Sequence, residues 1–192
     1  FTAKQGEVTA LVGPSGGGKT TVSRLAARFW DISKGKITVG GMDIEKIEPE
    51  TLLYLYSIVF QDVTLFNNTI MENIRIGKKG ASDEEVIEVA KITGCDDFIR
   101  KLEKGYQTMA GGKGEHLSGG ERQRIAIARA LVCKPKILFA DEPTGNVDSI
   151  RAKQLMEYFT EINRKYVITI VMVTHDCLVA SYASEMYYVE AG

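Results

Sequence analysis

Val8-Thr9-Ala10-Leu11-Val12 runs directly into Gly13-Pro14-Ser15-Gly16-Gly17-Gly18-Lys19-Thr20. A short β-branched and apolar run stops at a glycine-rich turn, and a helical pattern follows from Lys19 to Trp30. The turn has the form Gly-x-x-x-x-Gly-Lys-Thr. Its glycines let backbone N–H groups curl around anionic oxygens without a side chain in the way. The helix beginning near Lys19 adds the positive end of its dipole. Lys19 supplies a point charge for β- and γ-phosphates, and Thr20 a hydroxyl for Mg²⁺. A chance glycine-rich turn has no reason to fall between a strand and a helix, as this mechanism requires.

Working outward, Gly35 to Ile44 alternates around Gly40-Gly41 and reads as a hairpin. Ser57 to Phe60 reads as a buried strand running into Gln61. From Thr64 to Leu117 the character changes. Ser82-Asp83-Glu84-Glu85 is a capping box, Val86, Val89 and Ala90 follow at helical spacing, and Gly94 is placed to stop the helix. A second short helix is expected over Asp96 to Glu103, ending near Gly105. A small helical insertion is therefore expected over about 64–118. Gly111 to Gly114 forms a flexible lead into Leu117, and Glu121 to Val132 is a strong helix former. Pro135 breaks that helix. Ile137 to Ala140 reads as a buried strand ending in Asp141-Glu142, and Ser149 to Lys165 as a helix with Leu155, Met156, Phe159 and Ile162 on one face. Val167 to Val173 is another buried strand, ending at Thr174-His175-Asp176. Strands alternating with helices predict an α/β fold with a mostly parallel sheet flanked by helices and a small antiparallel β portion. Three polar sites fall just past strand ends, where open α/β sheets bind ligands.

The bulk numbers narrow the field. At 192 residues the chain fits one domain with a substantial core. Lys and Arg total 24 against 25 for Asp and Glu, a formal net charge of -1. That balance leaves no electrostatic footprint for nucleic acid and no polybasic membrane patch. The longest apolar stretch, Val167 to Val173, is far short of the ~18 residues of a membrane span, so a membrane role has to come through a partner or further chain. Cys95, Cys133 and Cys177 show no metal-ligand or redox spacing and read as thiols in a reducing compartment. Phe1 to Glu7 reads as the lead into a strand from mid-domain, so the chain is expected to be cut at both ends.

Ile137 to Glu142 is an apolar strand delivering two carboxylates to its C-terminal end. Asp141 suits Mg²⁺, and Glu142 suits orienting or deprotonating an attacking water. Ser118, Gly119 and Gly120 open a helix with unobstructed N–H groups, which makes a second anion site. An ordinary N-cap reading accounts for Ser118 but not for two glycines at the start of a long helix. One nucleotide does not need two such sites on one chain. The economical explanation is a dimer in which the Ser118 site of one chain covers ATP held by the Lys19 loop of the other.

Together these residues resemble the ATP-binding-cassette (ABC) ATPase family over essentially the whole of 1–192. Gly13 to Thr20 resembles the Walker A loop, and Gln61, in Val59-Phe60-Gln61-Asp62, resembles the Q-loop glutamine. Leu117 to Gln123 resembles the LSGGQ signature, with Glu121 in place of the usual Gln. Ile137 to Glu142 resembles Walker B with the catalytic glutamate. Asn146-Val147-Asp148 resembles the D-loop, and His175 the switch histidine; His116 has no such placement. The resemblance implies a P-loop NTPase fold that binds ATP and Mg²⁺. It implies catalytic roles for Glu142, His175, Lys19 and Gln61, and metal contacts for Thr20, Gln61 and Asp141. Nucleotide contacts are implied for Gly13, Ser15, Gly16, Gly17, Gly18, Lys19, Thr20 and Thr21. Ser118, Gly119, Gly120 and Glu121 are implied to act on the opposing subunit's ATP, and Asp148 in dimer communication. Adenine stacking is assigned to no residue here, because the family's aromatic lies upstream of Phe1. Gly112 stands where exporters commonly carry a glutamate.

The stretches Thr64 to Ile74 and Phe98 to Thr108 resemble exporter motor domains, whereas Pro143 to Asp148 is similar to stand-alone cassettes. The longer similarity is given more weight. The resemblance then implies ATP hydrolysis coupled to export, a second nucleotide-binding domain, like or unlike, as partner, a transmembrane domain, no nucleic acid, and a place at the cytoplasmic face of the cell membrane. The alternative is a soluble ABC ATPase of DNA repair or translation. No sustained heptad pattern lies between Gln61 and Leu117, and no basic extension is present.

Overall fold

The structure, a computed structural model, describes residues 1–112, 117–145 and 147–190. From the N-terminus, β1 (Val8–Val12) leads through the glycine loop to α1 (Lys19–Ala26). The strands β2 (Thr38–Val39) and β3 (Met42–Asp43) precede α2 (Pro49–Leu55) and β4 (Tyr56–Val59). Next come β5 (Asn68–Thr69), α3 (Ile70–Arg75), α4 (Asp83–Ile92), α5 (Asp96–Ile99) and β6 (Met109–Ala110). Then follow α6 (Gly119–Leu131), β7 (Ile137–Asp141), α7 (Ser149–Tyr166), β8 (Thr169–Thr174), α8 (Cys177–Ala180) and β9 (Glu185–Tyr188).

The main sheet has the order β4-β7-β8-β1-β9, and all its pairings are parallel. Parallel strands joined by helical crossovers are covered on both faces, and their side chains alternate between two cores. In β8 all six residues are buried. Ile170 and Met172 join one core with Ile125 and Leu131 of α6 and Leu155, Met156 and Phe159 of α7. Val171 and Val173 join the other with Leu11, Leu52 and Phe139. Complete burial of such side chains contributes about 1.5–3 kcal/mol each. The first core continues without a break into Ile70, Ile74, Val86, Val89 and Ile99 of α3 to α5. Arg75 pairs with Glu72 and Asp83, and Lys78 with Glu85, tying α3 to α4.

Several element ends depart from the sequence expectation. The first helix stops at Ala26 instead of Trp30, because Arg28 takes a left-handed backbone (φ 58). Its guanidinium then donates to the carbonyls of Ile44 and Ile47, fastening the chain to the segment after the hairpin. Likewise α5 ends at Ile99, and Lys101 and Leu102 close tighter i→i−3 turns on Phe98 and Ile99. Val167 belongs to no strand: it caps α7 in a left-handed conformation (φ 54), and β8 starts at Thr169. The hairpin stands as expected, with positive φ at both Gly40 and Gly41. The Ser82–Glu85 capping box also forms. Lys113, Gly114 and His116, and Asn146 of the D-loop motif, lie outside the described residues.

Candidate active site

Strand order assembles the site. β8 lies between β1 and β7, and β4 flanks β7, with Val12 level with Thr174, Asp141 with Val173 and Val59 with Ala140. The four strands therefore end on one edge of the sheet. They deliver there the Gly13–Thr20 loop, His175, the Asp141-Glu142 pair and Gln61, the arrangement that makes such an edge a ligand site.

The loop is shaped for anions. Gly16 and Gly18 have positive φ (81 and 88), and a Cβ on either would meet nothing within 4 Å, so backbone conformation alone selects glycine there. Gly18 is the N-cap of α1 with no side-chain cap, and the first turn carries no acidic residue. The opening N–H groups are thus left without a local carboxylate competitor. Lys19 is buried, and its Nζ donates to the carbonyls of Gly13 and Pro14 at 2.9 Å each. Ser15 and Thr21 are exposed beside it.

Thr20 Oγ1 donates to Asp141 Oδ1 at 2.9 Å, joining the glycine loop to the end of β7 across 121 residues of chain. Burial pushes the Asp141 carboxyl above its ordinary range; the Thr20 bond opposes this and the Glu142 charge adds to it. Glu142 stands in a left-handed conformation (φ 47), its N–H held by Val173 O at 2.8 Å. Such strain in a non-glycine residue concentrates at functional sites. Its Oε1 meets Nδ1 of the exposed His175 at 2.8 Å, so the two residues form a pair. Gln61 is exposed, and its side chain lies against Gly145. A hydroxyl and a carboxylate within hydrogen-bond reach suit Mg²⁺, which takes one or two carboxylates and completes its shell with water and substrate phosphate.

Ser118, by contrast, is brought to α7 rather than to the glycine loop. Its Oγ accepts from Glu121 N at 3.3 Å and its N–H donates to Glu121 Oε2 at 2.7 Å, a complete capping box. A cavity of about 80 Å³ beside it is lined by Gly120, Arg124, Arg151, Gln154 and Tyr158 among others. Gly120 is buried, and a Cβ there would touch Val147 and Arg151 at 3.5 Å. A Cβ there would sit in ordinary contact, so packing alone does not select glycine at this position. Asp148 is exposed and caps α7, accepting from Arg151 N at 3.0 Å.

Two features have no signal in a residue-type reading. A Cβ on Gly13 would fall 2.1 Å from the Val189 carbonyl oxygen, and one on Gly17 would fall 3.1 Å from it. The chain just beyond β9 therefore backs the anion loop, and these two glycines answer to packing. The second is Asn73, fully buried in α3. Its Nδ2 donates to the carbonyls of Phe66, Asn68 and Thr69, while Oδ1 accepts from Phe66 N and Arg129 Nη2. Arg129 continues to Asn73 O and Thr64 O. This network fixes the Thr64–Thr69 loop beside a groove of about 400 Å³ lined by Phe60, Val63, Phe66 and Ala126.

A family model described as ABC transporter matches residues 1–145. The chain belongs to the ABC transporter family. It is 41% identical over 175 residues to the mitochondrial iron-sulfur clusters transporter atm1 of Aspergillus fumigatus, covering 91% of this chain and 24% of that protein. Against the heterocyst differentiation ATP-binding protein HepA of Nostoc it is 39% identical over 192 residues, covering all of this chain and 31% of HepA. A solved bacterial Atm1-family ABC exporter with ATP bound superposes with a TM-score of 0.90 at 37% identity, over 99% of this chain and 33% of that one. The chain spans a third or less of the length of these relatives. Family and fold stand as the sequence implied, and the ABC transporter ATP-binding domain is the part that this chain matches.

Proposed function

We propose that this domain hydrolyses ATP and that the free energy drives export through a transmembrane partner. The observation that carries the proposal is the Thr20–Asp141 hydrogen bond with the Glu142–His175 pair beside it. It supports the reading because the glycine loop, a carboxylate suited to a metal and a second carboxylate suited to act as a base lie together at one edge of the sheet. Lys19, five to six residues beyond the carbonyls it now contacts, is placed to bind β- and γ-oxygens. Thr20 and Asp141 would hold Mg²⁺, with Gln61 at the neighbouring strand end, and the ion supplies charge neutralisation at the phosphate oxygens. Glu142 orients the attacking water and takes its proton, and His175 fixes the Glu142 carboxylate and reaches the γ-phosphate.

The same reading assigns Ser118, Gly119, Gly120 and Glu121 to nucleotide held by a second nucleotide-binding domain, a like or unlike cassette, with Asp148 at the seam. Support comes from their placement on α6 and α7, away from the chain's own glycine loop. The transmembrane partner is assigned to the Phe60–Phe66 groove, whose exposed aromatics (40% and 53%) suit an apolar helical segment. The work would then occur at the cytoplasmic face of the membrane, with no nucleic acid involved. Glu142→Gln tests the assignment. It is expected to retain ATP binding, lose at least ~100-fold in turnover and accumulate an ATP-bound dimer on gel filtration. Normal hydrolysis by this variant would remove Glu142 from the mechanism.

A further inference from the structure

Arg151 stands where its own helix does not favour a cation. It lies in the first turn of α7, at the positive end of the helix dipole, and no acidic residue shares that turn. Its one ion pair among the described residues is with the cap, Asp148, at 3.5 Å from Nε. Both side chains are more than half exposed, so the pair contributes little to the fold. The same side chain also meets the start of α6. Arg151 Cδ would lie 3.5 Å from a Cβ on Gly120, and Arg151 lines the cavity of about 80 Å³ together with Ser118 and Glu121. Arg124, the other cation of that cavity, is held elsewhere: its Nη1 donates to Gly94 O at 2.9 Å, and its guanidinium lies 4.9 Å from the centre of the Phe98 ring. Glu121 accepts from Ser118 N, a neutral donor that leaves the carboxylate charge in place. With Glu121 and Asp148 negative and Arg124 and Arg151 positive, the group is balanced only while Arg151 is present.

We infer that Arg151 is the countercharge that lets a glutamate stand at 121 in a site for a polyanion, the nucleotide held by a second nucleotide-binding domain. The inference rests on the two-chain reading above and deepens it. A triphosphate approaching the Ser118 end of α6 is repelled by Glu121, and a guanidinium at the rim of the same small cavity cancels that repulsion. Arg151 acts through Glu121, as a positioning residue, so its loss is felt in the ATP-driven association of two domains and not at the chain's own phosphate loop. The role is electrostatic. Lysine can therefore fill it where a neutral residue cannot, and salt weakens it.

The test is Arg151→Gln and Arg151→Lys in the whole chain, each alone and combined with Glu121→Gln, with phosphate release followed across chain concentrations. Arg151→Gln should raise the concentration for half-maximal turnover about tenfold at about 0.1 M salt, and less than about threefold at about 0.5 M. Arg151→Lys should stay within about threefold of wild type at both. In the Glu121→Gln background, Arg151→Gln should cost less than about twofold, because the charge it balanced is gone. ATP binding by the monomer should be unchanged, and the melting temperature should not fall, since a cation leaves the positive end of α7. Wild-type concentration dependence in Arg151→Gln overturns the inference. So does a loss that ignores salt, persists in full in the Glu121→Gln background, or tracks a lower melting temperature. A wild-type chain that hydrolyses no ATP, or whose turnover is indifferent to chain concentration, would instead overturn the two-chain reading, and this inference with it.

Discussion

Replacing Asp141 by Asn should stabilise the protein while abolishing the proposed metal-dependent hydrolysis. Asp141 is 7% exposed at the end of β7, and Thr20 Oγ1 donates to it at 2.9 Å. A hydrogen bond to a charged group contributes about 1.5–3 kcal/mol against about 1 kcal/mol for a neutral one, so losing the charge forfeits about 1 kcal/mol at Thr20. The carboxyl nevertheless sits above its ordinary range, so burial together with the neighbouring Glu142 charge outweighs that bond. Neutralisation should therefore leave a net gain in stability at pH 7, read as a higher Tm for the variant. The pH dependence carries the sign. A carboxyl whose folded pKa is raised binds its proton more tightly when folded, so stability is greatest below the unfolded value near 4 and falls as pH rises through the folded value. At pH 7 the wild type carries the whole penalty and the Asn variant none.

Paired guanidinium unfolding of both proteins at pH 7 and at about pH 4.5, without magnesium, reads this directly. The variant should be the more stable at pH 7, with the gap narrowing at the lower pH. ATP with Mg²⁺ should then raise the melting temperature of the wild type well above its effect on the variant. A variant less stable than wild type at pH 7, or a gap indifferent to pH, would refute the claim that burial dominates at Asp141.

Ser118→Arg should abolish turnover while leaving ATP binding by the monomer unchanged, as filter binding and a phosphate-release assay would show. The lost cap accounts for only about 1 kcal/mol of stability, and a parallel loss of binding would sink the two-chain site. Gly94→Ala combines a left-handed backbone (φ 65) with a Cβ 2.2 Å from the Tyr158 hydroxyl. It should destabilise by about 2–4 kcal/mol in denaturant titration, and a change below about 0.5 kcal/mol would mean that α4 and α7 do not pack as described.

Much of the fold was legible because parallel strands buried on both faces have to be apolar throughout. Val8–Val12, Ile137–Ala140 and the Thr169–Thr174 stretch announce themselves that way, and a glycine loop between strand and helix sets the order. The site was legible for a related reason, since each strand ends in the polar residue it delivers. What the reading missed lies where the partner is backbone or is remote in sequence. Gly13 and Gly17 look like phosphate glycines whether or not the Val189 carbonyl backs them, because a carbonyl carries no residue identity. The end of α1 was hidden too, because a left-handed arginine breaks a helix without any glycine or proline to mark it.

Ser118 shows why the two readings of a helix start need not compete. In the capping box its Oγ accepts from Glu121 N, and its N–H goes to the Glu121 carboxylate. A hydroxyl has a proton to donate as well as lone pairs, so the cap leaves the Ser118 O–H available to an anion. Box formation holds Ser118 in extended backbone (φ -63, ψ 160) at the helix end. Glutamate at 121 makes the same reciprocal bond that glutamine makes in a capping box, so the departure from the LSGGQ pattern preserves the shape of the turn. It adds a negative charge where an incoming phosphate is also negative. Arg124 and Arg151 line the cavity beside Glu121, and the positive end of a thirteen-residue helix lies under it, so the local field offsets that charge. The cap is thus the scaffold on which an anion site can be built, and a single serine serves both.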